Sequence, residues 1–187
     1  MDMRKLAVFF IIFLTFAPTA LWAVDNKYLA GAVHEVNGRV VFTKVYNLKG
    51  SSQNSGYDFA YKWLRDRIKE NNNDSRIVIE NKELGQIVAS IEEVIVFKNK
   101  PLNRDVTVIN YRVIVTCMPE KCEVKIEHIR YDYFNKKITA EEHITDEIAL
   151  NKKKTSIYPA YKKFRIKTVD YINNVFDSLG TNGEYVK

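Results

Sequence analysis

Two cysteines, Cys117 and Cys122, flank the short segment Met118-Pro119-Glu120-Lys121. If that segment is a hairpin turn, the two thiols face each other across antiparallel strands and can close a disulfide in an oxidising compartment. In the chain-entropy account, a bridge over so small a loop contributes only about 2 kcal/mol, so its role would be to pin the hairpin. Thiol–disulfide catalysis needs another setting, a Cys-x-x-Cys pair at a helix start where the dipole lowers the thiol pKa. Downstream, His128, Arg130 and Asp132 alternate opposite Ile129 and Tyr131. This places an imidazole, a guanidinium and a carboxylate near one another, suited to proton transfer or anion binding, although the same residue types on a solvated strand are usually just hydrated. Glu141-Glu142-His143 offers metal-ligand types, but the spacing matches none of the helical zinc signatures and would need distant ligands. The sequence carries no nucleotide loop and no nucleophile beside an obvious base, so it implies no catalytic residue, cofactor or metal.

The basic residues raise a separate question. Lys162, Lys163, Arg165 and Lys167 fall in the opening turns of a C-terminal helix, where the positive end of the macrodipole disfavours each cation by a few tenths of a kcal/mol. Glu141, Glu142, Asp146 and Glu147 can offset this if the segment before the helix folds back over its start. Alternatively, Lys152 to Lys154 join the helix lysines in an anion-binding patch. Internal pairing is the favoured expectation.

The elements that must position these groups follow from periodicity. Residues 38–46 read as a strand, dense in β-branched and aromatic side chains. A helix follows, with Ser55 and Asp58 as a box-like start, Phe59, Trp63, Leu64 and Ile68 at helical spacing, and Asn71 to Asp74 as its end. Residues 76–80 and 85–97 read as strands around a turn at Asn81 to Leu84, and Lys100-Pro101-Leu102-Asn103 makes the next turn. In the hairpin after it, Cys117 faces Cys122, Val115 faces Val124 and Val113 faces Ile126. That register would next set Tyr111 against His128. One extra residue on the second strand, near Glu127 and His128, instead aligns Tyr111 with Ile129 and Ile109 with Tyr131, which is the signature of a β-bulge. Residues 135–158 are weakly patterned, with a short helix expected from Thr145. The last helix spans about Ala160 to Leu179, with Phe164, Ile172, Val175, Phe176 and Leu179 on one stripe and Gly180 as its stop. The pattern predicts an α+β fold: an antiparallel curved sheet of about five strands with two main helices on one face. The opposite face would then present Asn110, Arg112 and Thr116, with Ser90 and Glu92 if the registers agree, among Val88, Val94, Val108 and Ile114. Such a mixed surface suits docking of a protein or glycan chain, and it is also common on sheets with no partner.

The N-terminus sets the compartment. Arg4 and Lys5 precede an apolar run from Leu6 to Ala17, followed by Pro18 and Ala20-Leu21-Trp22-Ala23, the order of a secretory signal peptide with cleavage expected after Ala23. A membrane span needs about 20 apolar residues, and Thr15, Pro18 and Thr19 interrupt a shorter run. Cysteine is absent from the cleavage point, so a lipoprotein anchor has no attachment site. The whole chain carries a formal charge of +6, which falls by one when Asp2, Arg4 and Lys5 leave with the leader. This moderate excess favours anionic partners or serves solubility. The length suits one domain over residues 24–180, with a loose tail at 181–187.

Several short stretches carry a family likeness: Gly38-Arg39-Val40-Val41-Phe42, Ser75-Arg76-Ile77-Val78, Ile109-Asn110-Tyr111, Ala140-Glu141-Glu142, Ile144-Thr145-Asp146, Ala149-Leu150-Asn151-Lys152 and Lys163-Phe164-Arg165. In their order along the chain they resemble a family of secreted Bacteroidetes proteins of unknown function with a TBP-like fold. The resemblance implies the curved sheet-and-helix shape of the TATA-binding protein, and shape does not bring DNA binding with it. It implies no activity and no catalytic residues.

The functional expectation is an exported, periplasmic or envelope-located, non-enzymatic binding module. Its candidate surface comprises Asn110, Arg112, His128 and Arg130 on the sheet, or Lys162 and Lys163 at the last helix. An envelope protein or anionic glycan is the expected partner. Export makes nucleic acid an unsuitable one, and no membrane span is expected after cleavage. The alternative is an inhibitor of an envelope or host enzyme that uses the Lys100 to Asn103 turn or the Met118-Pro119-Glu120 tip. A hydrolase would require titratable groups converging in a pocket, which sequence spacing does not supply.

Overall fold

Segments rich in β-branched residues, with side chains buried at alternate positions, form long strands. In the computed structural model, which describes residues 25–71 and 74–181, the chain forms β1 (His34–Val36), β2 (Arg39–Asn47), α1 (Gln53–Asn71), β3 (Arg76–Asn81), β4 (Gln86–Lys100), β5 (Asn103–Met118), β6 (Lys121–Tyr133), β7 (Lys136–Thr139), α2 (Ala140–His143), α3 (Asp146–Ala149) and α4 (Pro159–Thr181). The expected leader, its cleavage point and the tail from residue 182 lie outside the described residues. All strands pair antiparallel in one seven-stranded sheet of order β1-β2-β6-β5-β4-β3, with β7 also on β6. The expectation of about five strands is corrected by β1 and β7. They span three and four residues and are mostly exposed, too short for alternation to mark them.

The two long helices share one face of the sheet. On α1, Tyr57, Ala60, Trp63 and Leu64 are buried; on α4, Phe164, Val169, Ile172, Val175, Phe176 and Leu179 are buried. They meet Ile87, Ile91, Ile109, Val113, Val124 and Ile126 from the strands in one core. The buried indole of Trp63 donates to Ser178 Oγ at 3.0 Å, so its polar atom is satisfied at the helix–helix contact. Glu93 sits on the core side of β4, where Arg67 donates to it at 2.6 Å and the Tyr111 hydroxyl at 3.2 Å.

The α1 start differs from the expected one. Ser52 precedes the first helical residue and its Oγ accepts from Ser55 N at 3.1 Å, so Ser52 is the cap. Asp58, one turn inside, binds Lys82 Nζ at 2.6 Å. Gly180 is likewise inside α4 and does not stop it. The weakly patterned stretch contains α2 and α3, each capped by a threonine: Thr139 in a full capping box with Glu142, and Thr145 accepting from Ile148 N.

Folding back of that stretch pairs one of the four helix-start cations, Arg165, with one of the expected carboxylates, Asp146; Lys163 pairs with Asp105 on the sheet, and Lys162 and Lys167 stay exposed. Arg165, fully buried, donates to Asp146 Oδ1 at 2.6 Å and to the carbonyls of Tyr28 and Leu29 at 2.6 Å, with a further bond to the Ile144 carbonyl. Glu141 accepts from Val40 N at 2.8 Å, Glu142 closes the capping box, and His143 packs edge-on against Tyr161 and Phe164, so all three acidic or imidazole side chains have structural roles.

Candidate functional site: a groove on the open sheet face

β6 changes partner in mid-course. Residues 121–127 pair with β2, and residues 130–133 pair with β7. Between the two pairings lies the expected bulge: Asn110 pairs with Arg130 and Ile109 with Tyr131, but Arg112 pairs with Glu127. His128 takes the left-handed conformation there, at φ 55°. A bulge re-aims side chains and increases twist. Here it opens a groove of about 380 Å³ on the face away from the helices, lined by Ser90, Glu92, Asn110, Arg112, His128, Arg130, Asp132 and Lys137 among others.

The register assembles these groups row by row. Ser90 pairs with Arg112 and Glu92 with Asn110, so the β4 residues join the β5 residues as expected. Lys137 is added by β7, opposite Asp132. Sequence reasoning missed Lys137 because it missed the strand. Arg112 and Arg130 are exposed diagonal neighbours across the bulge, and neither side chain makes a hydrogen bond or ion pair among the described residues. Glu127, by contrast, is held by Lys125 at 3.1 Å. Arg39, at the start of β2, reaches across and donates from Nη1 to His128 Nε2 at 2.8 Å. A guanidinium can only donate, so Nε2 must be the unprotonated nitrogen of a neutral imidazole.

Partial burial, together with the positive charges of Arg112 and Arg39 and more weakly Arg130, pushes the His128 pKa below its ordinary value against the pull of Glu127. Neutral His128 is therefore favoured by folding. Its contribution to stability is full above the unfolded value near 6.5 and is lost as pH falls through that value toward the lower folded one. NMR titration should place the His128 midpoint below 6.5, and Arg112→Ala should move it upward. A midpoint at or above 6.5 would mean that Arg39 does not hold the ring in this form.

Lys162 and Lys163 stand apart from the groove. Lys163 is engaged: it binds Asp105 at 3.0 Å, donates to the Tyr133 hydroxyl, and lies 4.2 Å from the centre of that ring. Lys162 is exposed at the start of α4, beside Phe97 and Pro159 in a separate depression. Cys117 and Cys122 lie at the opposite end of β5 and β6, directly paired and joined in a disulfide.

The architecture has solved relatives. The crystal structure of a DUF4468 family protein from Bacteroides ovatus ATCC 8483 superposes with a TM-score of 0.83 at 44% sequence identity, covering 86% of this chain and 95% of that one. The chain belongs to the DUF4468 family. The family model, a domain of unknown function with TBP-like fold, matches residues 42–132, which span the sheet from β2 to β6. A TBP-like protein from Parabacteroides distasonis ATCC 8503 shares the fold at 20% identity, with a TM-score of 0.67 over 82% of this chain and 98% of that one. No curated protein matches the sequence. Most of the groove of this DUF4468 protein, from Ser90 to Asp132, falls within the residues matched by the family model; Lys137 lies beyond them.

Proposed function

We propose that this DUF4468 protein is an exported, non-enzymatic binding module of the bacterial envelope, and that its open-face groove receives a carboxylate-bearing segment of another envelope protein. The observation that carries this reading is the pair of exposed guanidiniums, Arg112 and Arg130, which have no bonding partner among the described residues and stand on adjacent strands of a rigid sheet. Guanidinium forks match carboxylates in geometry and charge. Carboxylates also line the groove, Glu92 from β4 and Asp132 from β6, which favours a ligand of mixed charge, as a peptide segment offers. Valine and isoleucine side chains also lie on this face, including Val94 and Val96, whereas its strand positions carry no aromatic side chain on which a sugar ring could stack. Catalysis by His128 is disfavoured because Nε2, its basic nitrogen, already accepts a hydrogen bond from Arg39. Export is supported by the signal-like N-terminus and fits the Cys117–Cys122 bridge.

Cross-linking in living cells, followed by purification and identification of attached proteins, tests this reading. The expected result is a reproducible protein partner whose recovery falls at least tenfold when Arg112 and Arg130 are both changed to alanine, as loss of two charge-assisted contacts implies. Undiminished recovery in that variant would remove the groove from consideration, and loss only on changing Lys162 would move the site to α4. Capture of an acidic glycan in place of protein would overturn the partner class.

A further inference from the structure

The end of the sheet that carries the β4–β5 and β6–β7 turns presents apolar side chains in unusual positions. Leu102, at the first turn, has a relative exposure of 109% and φ 63°; Phe134, at the second, is 77% exposed with φ 47°. Glycine or asparagine occupies left-handed turn positions with less strain than a bulky side chain. Leu102 receives no packing in return, and Phe134 only an edge contact with Tyr133, at 4.4 Å between ring centres. Apolar groups held outward at a conformational cost point to something outside the molecule that takes them.

Both turns lie at the same end of the molecule. Val108 pairs with Asp132, and Thr107 Oγ1 donates to the Asp132 carbonyl at 3.0 Å, so β6 turns back at the level of residues 106–107. The β4–β5 arm continues past it for residues 103–106, roughly 13 Å at strand rise. Exposed cations lie on this end: Lys98, Lys100 and Arg104 on the arm, Lys136 beside Phe134, and Lys162 and Lys167 on the first turns of α4, near Phe97 at the base of the arm. Phe97 packs on Phe164 at 4.8 Å and ties the helix start to the base of the arm. Asp105, the carboxylate on the arm, is taken up by Lys163, and Asp132 faces the groove.

We infer that this end of the molecule docks on an anionic lipid surface with the strands tilted to it, so that Leu102 on the longer arm and Phe134 on the shorter turn both enter the headgroup boundary and the lysines and arginine nearby meet the phosphates. Two separate convex apolar tips offer little continuous area for a protein interface, whereas each suits shallow insertion, and the cations complement an anionic leaflet. The groove opens on the sheet face and not on this end, so a membrane-docked molecule keeps it accessible. Among the described residues, no helix is long and apolar enough to cross a membrane, and the inference concerns surface association only.

Vesicle co-sedimentation of residues 24–187 tests this, because the apolar leader would bind lipid by itself. Binding is expected to vesicles containing phosphatidylglycerol and to fall sharply on pure phosphatidylcholine or in high salt. Leu102→Asn with Phe134→Asn, substitutions that suit the left-handed turns and leave the melting temperature unchanged or higher, should lower partitioning at least tenfold. Lys98→Gln with Lys100→Gln should lower it roughly fivefold per charge. Failure of the unaltered chain to bind phosphatidylglycerol vesicles would overturn the inference. So would binding that ignores the asparagine pair and is competed away by a soluble polyanion, a result that would assign these lysines to a polysaccharide.

Discussion

Replacing Arg165 by leucine is expected to destabilise the protein by about 3–5 kcal/mol, the range for removing one partner of a buried charge pair. The guanidinium is fully buried and ties two separate pieces of chain to α4: residues 28–29 through the Tyr28 and Leu29 carbonyls, and residues 144–146 through the Ile144 carbonyl and Asp146. Leucine would leave those carbonyls without this donor and the Asp146 carboxylate without its buried counter-charge. Asp146 keeps only Gly31 N at 2.9 Å and the more distant Lys154 Nζ at 4.0 Å. Thermal denaturation should show a fall in Tm of roughly 6–20 °C, using the usual conversion for a chain of this size. Changing Asp146 to asparagine as well should cost less than the sum of the two single changes, because the carboxylate no longer needs a counter-charge. A loss below about 1 kcal/mol for Arg165→Leu would show that water replaces the guanidinium, and that the segment before α4 is not held through this residue.

Gly85→Ala is expected to cost about 2–4 kcal/mol, through two effects acting at one position. Gly85 has φ 63°, and a Cβ there would overlap the backbone carbonyl oxygen of Cys117 and approach Gln53 Cγ to 3.1 Å. The overlapped atom belongs to a backbone whose N–H, at the same residue, donates to the Gly85 carbonyl at 2.8 Å, so relief by local movement would break that bond. Gly38→Ala is the matched control: φ is 73° and nothing lies within 4 Å, so only the conformational penalty of about 1 kcal/mol applies. Urea denaturation of both variants separates the two contributions. Equal losses would mean that the β3–β4 turn yields freely and does not bear on the disulfide-bridged hairpin.

Much of the frame was legible because sheet and helix faces repeat over short distances. The pairing of Cys117 with Cys122 and of Ile109 with Tyr131 requires a one-residue slip between them, and apolar alternation alone located it next to His128. The stripe from Phe164 to Leu179 similarly identified the buried face of α4. The cap of α1 was misread because Ser52 and Ser55 both precede a helical pattern, and only the bond from Ser55 N to Ser52 Oγ distinguishes them. β1 and β7 escaped notice because three or four residues, mostly exposed, define no period.

The sequence by itself therefore determined the two helix faces, the long hairpins, the bulge and the outward direction of Asn110 and Arg112, all of which follow from spacing along a single segment. Tertiary structure alone decided which charges are spent and which remain free. Lys163 and Arg165 stand two residues apart in sequence, yet Lys163 meets Asp105 and Tyr133 at the end of the sheet, whereas the return of residues 140–158 over the helix start brings Asp146 to Arg165. Likewise, Lys137 joins Arg112 and Arg130 only because β6 exchanges β2 for β7 at the bulge. Charge pairing depends on distances between segments remote along the chain, and those distances exist only once the sheet order is formed.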